Sequence, residues 1–167
     1  MKKYFFVMAT ILLFIKGVYS QTNVLDGVYI KSDEEQIVTI DKMVQEIKTN
    51  LNSYTKSKAF KDSISSSDFF LQDNELKLVI VKTNDENIEK RVSWYFADGR
   101  LIFSEQVWID NKTNALIDHE EFYQGMGRLL AWIKTDKTKE DPSSKDFKYV
   151  KEGLLAQAER LIDESKK

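Results

Sequence analysis

The chain repeats itself three times, and the repeat limits its fold more than any other feature. An aromatic-rich run, a tight turn and a leucine-led run recur as Phe69-Phe70-Leu71-Gln72-Asp73-Asn74-Glu75-Leu76, Trp94-Tyr95-Phe96-Ala97-Asp98-Gly99-Arg100-Leu101 and Phe122-Tyr123-Gln124-Gly125-Met126-Gly127-Arg128-Leu129. A repeated run-turn-run unit predicts a series of β-hairpins. Asn74, Gly99 and Gly127 share the second turn position, where two-residue hairpin turns demand the positive φ that Asn and Gly adopt most readily. Counting outward from Asp98-Gly99 sets Phe96 opposite Leu101, Tyr95 opposite Ile102 and Trp94 opposite Phe103. From Asp73-Asn74 the same count sets Leu71 opposite Leu76 and Phe69 opposite Leu78.

Strict alternation then divides the sheet into two faces. One, carrying Phe69, Leu71, Leu78, Trp94, Phe96, Phe103, Phe122 and Ala131, is almost uniformly apolar and is assigned to the core. The other mixes rings with charges, and its Tyr95, Trp108, Tyr123, Trp132, Arg91, Arg128, His119 and Glu121 are the candidate binding residues. Aromatic and Arg side chains together are what protein-binding and sugar-stacking surfaces use. The competing reading is structural, because cross-strand aromatic pairs stabilise a sheet for its own sake and a helix could cover this face. Glu105, Asp118 and Glu120 fall on the apolar side, which predicts a bulge or a shifted strand near residues 110–116.

Helices are expected on either side of the hairpins. Ser32-Asp33-Glu34-Glu35 reads as a capping box, and Ile37, Ile40, Met43, Val44, Ile47, Leu51 and Tyr54 follow at three- and four-residue steps. Residues 55–68, rich in Ser and Lys, read as a loop. Asp141 is placed to cap a second helix with Pro142 at its first position, running to about Glu164 with Phe147, Val150, Leu154, Ala158 and Leu161 on one side. The expected architecture is therefore α+β: an amphipathic helix, a six-strand antiparallel meander built from three hairpins, and a C-terminal helix. All of it falls in one domain, 32–167, behind an extended segment, 21–31.

Residues 1–20 read as a signal peptide. Lys2 and Lys3 precede an apolar run from Tyr4 to Ile15, and Val18-Tyr19-Ser20 suits cleavage after Ser20. The run is shorter than the roughly 20 residues a membrane span needs, so a secreted or periplasmic protein without stable membrane insertion is expected. Losing Lys2, Lys3 and Lys16 takes the formal net charge from −2 to −5. With no strongly basic stretch, nucleic acid is not an expected partner. The absence of cysteine excludes thiol catalysis, thiolate zinc sites and iron–sulfur clusters.

Catalytic groupings are sparse. His119 is the one histidine, followed by Glu120 and Glu121; alternation sends His119 and Glu121 to one face and Glu120 to the other. A hydrolytic triad needs a serine brought to His119, and no G-x-S-x-G elbow is present. Two ligands at i and i+2 do not by themselves make a metal site, and no phosphate-cradling glycine loop occurs. No catalytic residue, cofactor or metal is assigned.

The export signal, the first helix, the hairpins ending in Tyr95-Phe96-Ala97-Asp98-Gly99-Arg100-Leu101-Ile102 and Phe122-Tyr123-Gln124-Gly125-Met126-Gly127-Arg128-Leu129, and the closing Asp141-Pro142-Ser143 helix together resemble an uncharacterised family of small exported bacterial proteins. Members of that family carry Tyr-Phe-x-x-Gly-Lys-Leu-Ile in the same hairpins, so Arg100 and Arg128 stand where lysine is usual. The hairpin pattern is also similar to MORN-type repeats, whose period is shorter and more regular. The family has no established activity, so the resemblance implies a fold and export only. The functional expectation is an exported, non-catalytic binding or interaction module for a protein or glycan. The alternatives are an envelope hydrolase using acids near His119, and an inhibitor or immunity-type protein.

Overall fold

The structure, a computed structural model, describes residues 31–61 and 64–166. The expected signal segment and all of the extended segment except Lys31 lie outside the described residues. Ser32 caps the first helix, α1 (Asp33–Thr49), in both senses of the capping box: its hydroxyl accepts from the Glu35 amide, and the Glu35 carboxylate accepts from the Ser32 amide. A single 3-10 turn, Leu51–Ser53, leads into seven strands in simple sequence order, each antiparallel to the next. These are β1 (Thr55–Lys61), β2 (Ser65–Gln72), β3 (Glu75–Asn84), β4 (Ile88–Ala97), β5 (Arg100–Asp110), β6 (Leu116–Gly125) and β7 (Arg128–Ile133). The second helix, α2 (Lys145–Glu164), closes the described chain.

The fold is α+β with an antiparallel meander, as expected, but with seven strands instead of six. The stretch expected to be a loop forms β1 and the start of β2, paired from Thr55 opposite Leu71 to Lys61 opposite Ser66. An edge strand gains from lysines that deter pairing with a second chain, so β1 lacks the apolar alternation that marks inner strands. The second helix also starts later than Pro142. Its cap is Ser144, whose hydroxyl accepts from the Phe147 amide, while Asp141 accepts from the Ser143 amide in the preceding turn.

The turns are as expected. Both central residues have positive φ in each hairpin: Asp73 and Asn74, Asp98 and Gly99, Met126 and Gly127. The innermost expected pairs also match, Leu71 with Leu76 and Phe96 with Leu101. One residue further out, each of these three hairpins carries a bulge at the same place. Lys77, Ile102 and Leu130 are the extra residues, so Tyr95 opposes Phe103, Trp94 opposes Ser104, and Phe69 opposes Val79. This corrects the expected pairs beyond the first. A single extra residue reverses the facing of everything after it, and alternation cannot reveal it where both faces are apolar.

Both faces are apolar because each is covered by a helix. On the α1 side, Ile40, Val44 and Ile47 pack with Phe70, Leu78, Tyr95, Ile102, Phe103 and Tyr123. On the α2 side, Phe147, Leu154, Ala158 and Leu161 pack with Phe69, Val79, Trp94, Phe96, Phe122 and Trp132. The single core face of the sequence reading is thus replaced by two half-cores. A further bulge, at Ile117 between β5 and β6, answers the irregularity expected near 110–116.

The helices cover only the hairpin-turn half of the long strands. In β4, Ser93–Ala97 are buried and residues 88–92 are partly exposed. In β5, burial ends at Ser104 and residues 105–110 are partly exposed; in β6 it begins only at Phe122.

Candidate functional site

The uncovered half of the α1 side is set by register. Arg91 opposes Val107, which opposes His119, and Ser93 opposes Glu105, which opposes Glu121. Alternation from the buried Tyr95 and Tyr123 turns Arg91, Glu105, Val107, Ile109, His119 and Glu121 to this same side. Three of them form a compact cluster of ionisable side chains. The Glu105, Glu121 and His119 side chains are 18%, 21% and 22% exposed. His119 Nε2 lies 3.8 Å from Glu105 Oε2 and 3.7 Å from Glu121 Oε1, and has no hydrogen-bond partner among the described residues.

Neighbouring elements hold the two acids. Glu105 Oε1 accepts from the Tyr95 hydroxyl at 2.9 Å and lies 3.4 Å from Lys48 Nζ of α1. Glu121 Oε1 lies 3.7 Å from Lys137 Nζ, in the connection between β7 and α2. Arg91 donates through Nη2 to Glu89 at 2.6 Å. The Tyr123 hydroxyl donates to Asp41 of α1 at 2.8 Å. Burial, then the Glu105 charge, pushes the Tyr95 hydroxyl far above its ordinary value; burial and the bond to Asp41 do the same at Tyr123. Both phenols stay protonated donors at neutral pH and tie helix or acid to sheet.

The eight residues expected to share one face do not do so. Arg91, His119 and Glu121 lie together in the uncovered half. Tyr95 and Tyr123 are on the same side but buried under α1, each against Phe103, with ring centroids 5.5 and 4.9 Å apart. Trp108 and Trp132 face the α2 side, because the bulges at Ile102 and Leu130 reverse β5 and β7. Trp132 is buried against Phe122, and its Nε1 donates to Glu120 Oε1 at 3.1 Å. Burial raises the Glu120 carboxyl and the Trp132 bond opposes that rise. Trp108 lies beneath Lys90, whose Nζ is 4.7 Å from the ring centre. Arg128 sits at the opposite end of the sheet in a two-pronged pair with Asp33 of α1, at 2.5 and 3.1 Å.

Sequence reading missed Glu105 as a member of the cluster, although it marked the residue as a misfit on an apolar face. The misfit and the bulge at Ile102 are one signal, since the extra residue carries Glu105 to the side of His119. Among the described residues, no group of three or more His, Asp and Glu side chains is placed to hold a metal ion, and no hydroxyl is hydrogen-bonded to His119 Nε2. Among the described residues, no helix is long and apolar enough to cross a membrane. No family model, curated protein or solved structure matches the chain. The arrangement suits reversible charge pairing beside aliphatic surface.

Proposed function

We propose that the protein is an exported binding module without chemistry of its own, and that its partner is another protein. The observation that carries the reading is the loss of cover halfway along β4, β5 and β6, which leaves Arg91, Val107, Ile109, His119 and Glu121 partly exposed side by side. Aliphatic surface ringed by charges, with an arginine in it, is what protein interfaces use. A glycan is the weaker choice, because Tyr95, Tyr123 and Trp132, the rings that would stack on sugar, are buried. Export by residues 1–20 belongs to the same proposal.

Capture from the native envelope fraction tests it. The wild-type protein and Tyr149→Ala, altered at an exposed position of α2, are expected to retain the same partner. The doubly substituted Arg91→Glu, Ile109→Lys should lose it by at least about tenfold, equivalent to ~1.4 kcal/mol. Equal retention by all three folded proteins would sink the proposal. Hydrolysis of any envelope substrate that disappears in His119→Ala would favour the enzyme reading instead.

A further inference from the structure

Histidine is the side chain whose charge changes most readily near neutral pH, and this chain has one. His119 Nε2 sits within ion-pair range of two carboxylates but beyond hydrogen-bond length from either. Each acid is already shared. Glu105 holds the Tyr95 hydroxyl and Lys48 through Oε1, leaving Oε2 to face the imidazole. Glu121 presents one oxygen, Oε1, to both His119 and Lys137, at 3.7 Å from each. Of the other ionisable groups on this side, Arg91 donates through Nη2 to Glu89 while its Nε is enclosed without a partner among the described residues, Lys82 opposes Arg91 on β3, and Asp41 accepts from Tyr123.

A proton on the imidazole would therefore supply a second cation for an oxygen that lies equally far from the Lys137 ammonium. Lys137 is 68% exposed and its pair is screened by water, whereas His119 is 22% exposed and approaches from within the sheet. The imidazole needs to move only about 1 Å to reach charge-assisted hydrogen-bond length. Lys137 lies in a turn closed by its own amide on Lys134 O, between β7 and α2.

We infer that protonation of His119 draws Glu121 from the Lys137 ammonium to the imidazolium, freeing the Lys137 side chain at the 134–138 turn and changing the charge and border of the uncovered sheet surface with pH. The value of this exchange as a control on binding rests on the function proposed above; the exchange itself does not. The Thr138 hydroxyl and amide hold the Asp136 carboxyl below its ordinary value, which keeps that neighbour out of the same pH window.

The purified protein without any partner tests it, by NMR titration between about pH 8 and pH 5. Backbone signals of residues 136–139 are expected to shift with the same midpoint as the His119 ring proton, and the shift should vanish in His119→Gln. Should that variant not fold, Glu121→Gln is the second test: the ring still titrates while residues 136–139 stay still. Signals at 136–139 that move unchanged in either variant, or that stay still in the wild type while the ring titrates, overturn the inference. Failure to find a partner refutes only the binding role.

Discussion

Gln124 breaks the pattern of its own repeat, and replacing it should stabilise the protein. The equivalent positions are Leu71 and Phe96, and each pairs with the leucine that follows its turn, as Gln124 pairs with Leu129. Gln124 is 1% exposed, and both its amide atoms are enclosed without a hydrogen-bond partner among the described residues. A buried polar group left unpaired costs about 1–3 kcal/mol, and exchanging it for an apolar side chain of similar volume costs less than ~1.5 kcal/mol in fit. Gln124→Leu is therefore expected to gain about 1–2 kcal/mol. For a chain of this size that is a rise in Tm of about 2–8 °C. The urea midpoint should rise with an unchanged slope, since the surface exposed on unfolding is the same. Gln124→Ala, which removes the amide but leaves a cavity, should not gain. A loss of more than about 1 kcal/mol in Gln124→Leu would refute the reasoning, because it would mean that the amide is satisfied in the folded protein.

Two glycines should respond in opposite directions to the same substitution. Gly153 lies exposed inside α2 with nothing within 4 Å of an added Cβ, so Gly153→Ala should gain about 0.5–1 kcal/mol by helix propensity. A Cβ on Gly125 would meet the Gln36 amide oxygen at 2.6 Å and Leu130 at 2.9 Å, so Gly125→Ala should lose about 1–3 kcal/mol by overpacking α1 against the sheet; chemical denaturation of both checks the contrast. Arg128 holds the Asp33 carboxyl below its ordinary value through their hydrogen bonds. The stability this contributes is present above the ordinary aspartate range and is lost as pH falls through the lowered value. Both side chains are nearly half exposed, so Arg128→Ala should cost no more than ~1 kcal/mol at neutral pH, with the difference from wild type shrinking in acid. A difference that grows in acid would contradict the assigned pair.

The turns, the hairpin order and the helix stripes are local properties, and the sequence by itself determined them. Asn74, Gly99 and Gly127 stand where positive φ is required, Ser32 and Glu35 close a cap three residues apart, and apolar residues recur at helical steps; each depends only on near neighbours. The facing of the second strand in each hairpin was not legible. Lys77, Ile102 and Leu130 are extra residues in otherwise regular runs, and nothing in an apolar alternation marks one residue as unpaired when helices wait on both sides. Tertiary packing decided it: α1 and α2 each demand an apolar half-sheet, and the repeated bulge supplies both. That decision split the expected aromatic face, buried Tyr95, Tyr123 and Trp132, and carried Glu105 to His119 and Glu121. The candidate site depends on strand facing and helix cover, two long-range properties that no window of sequence contains.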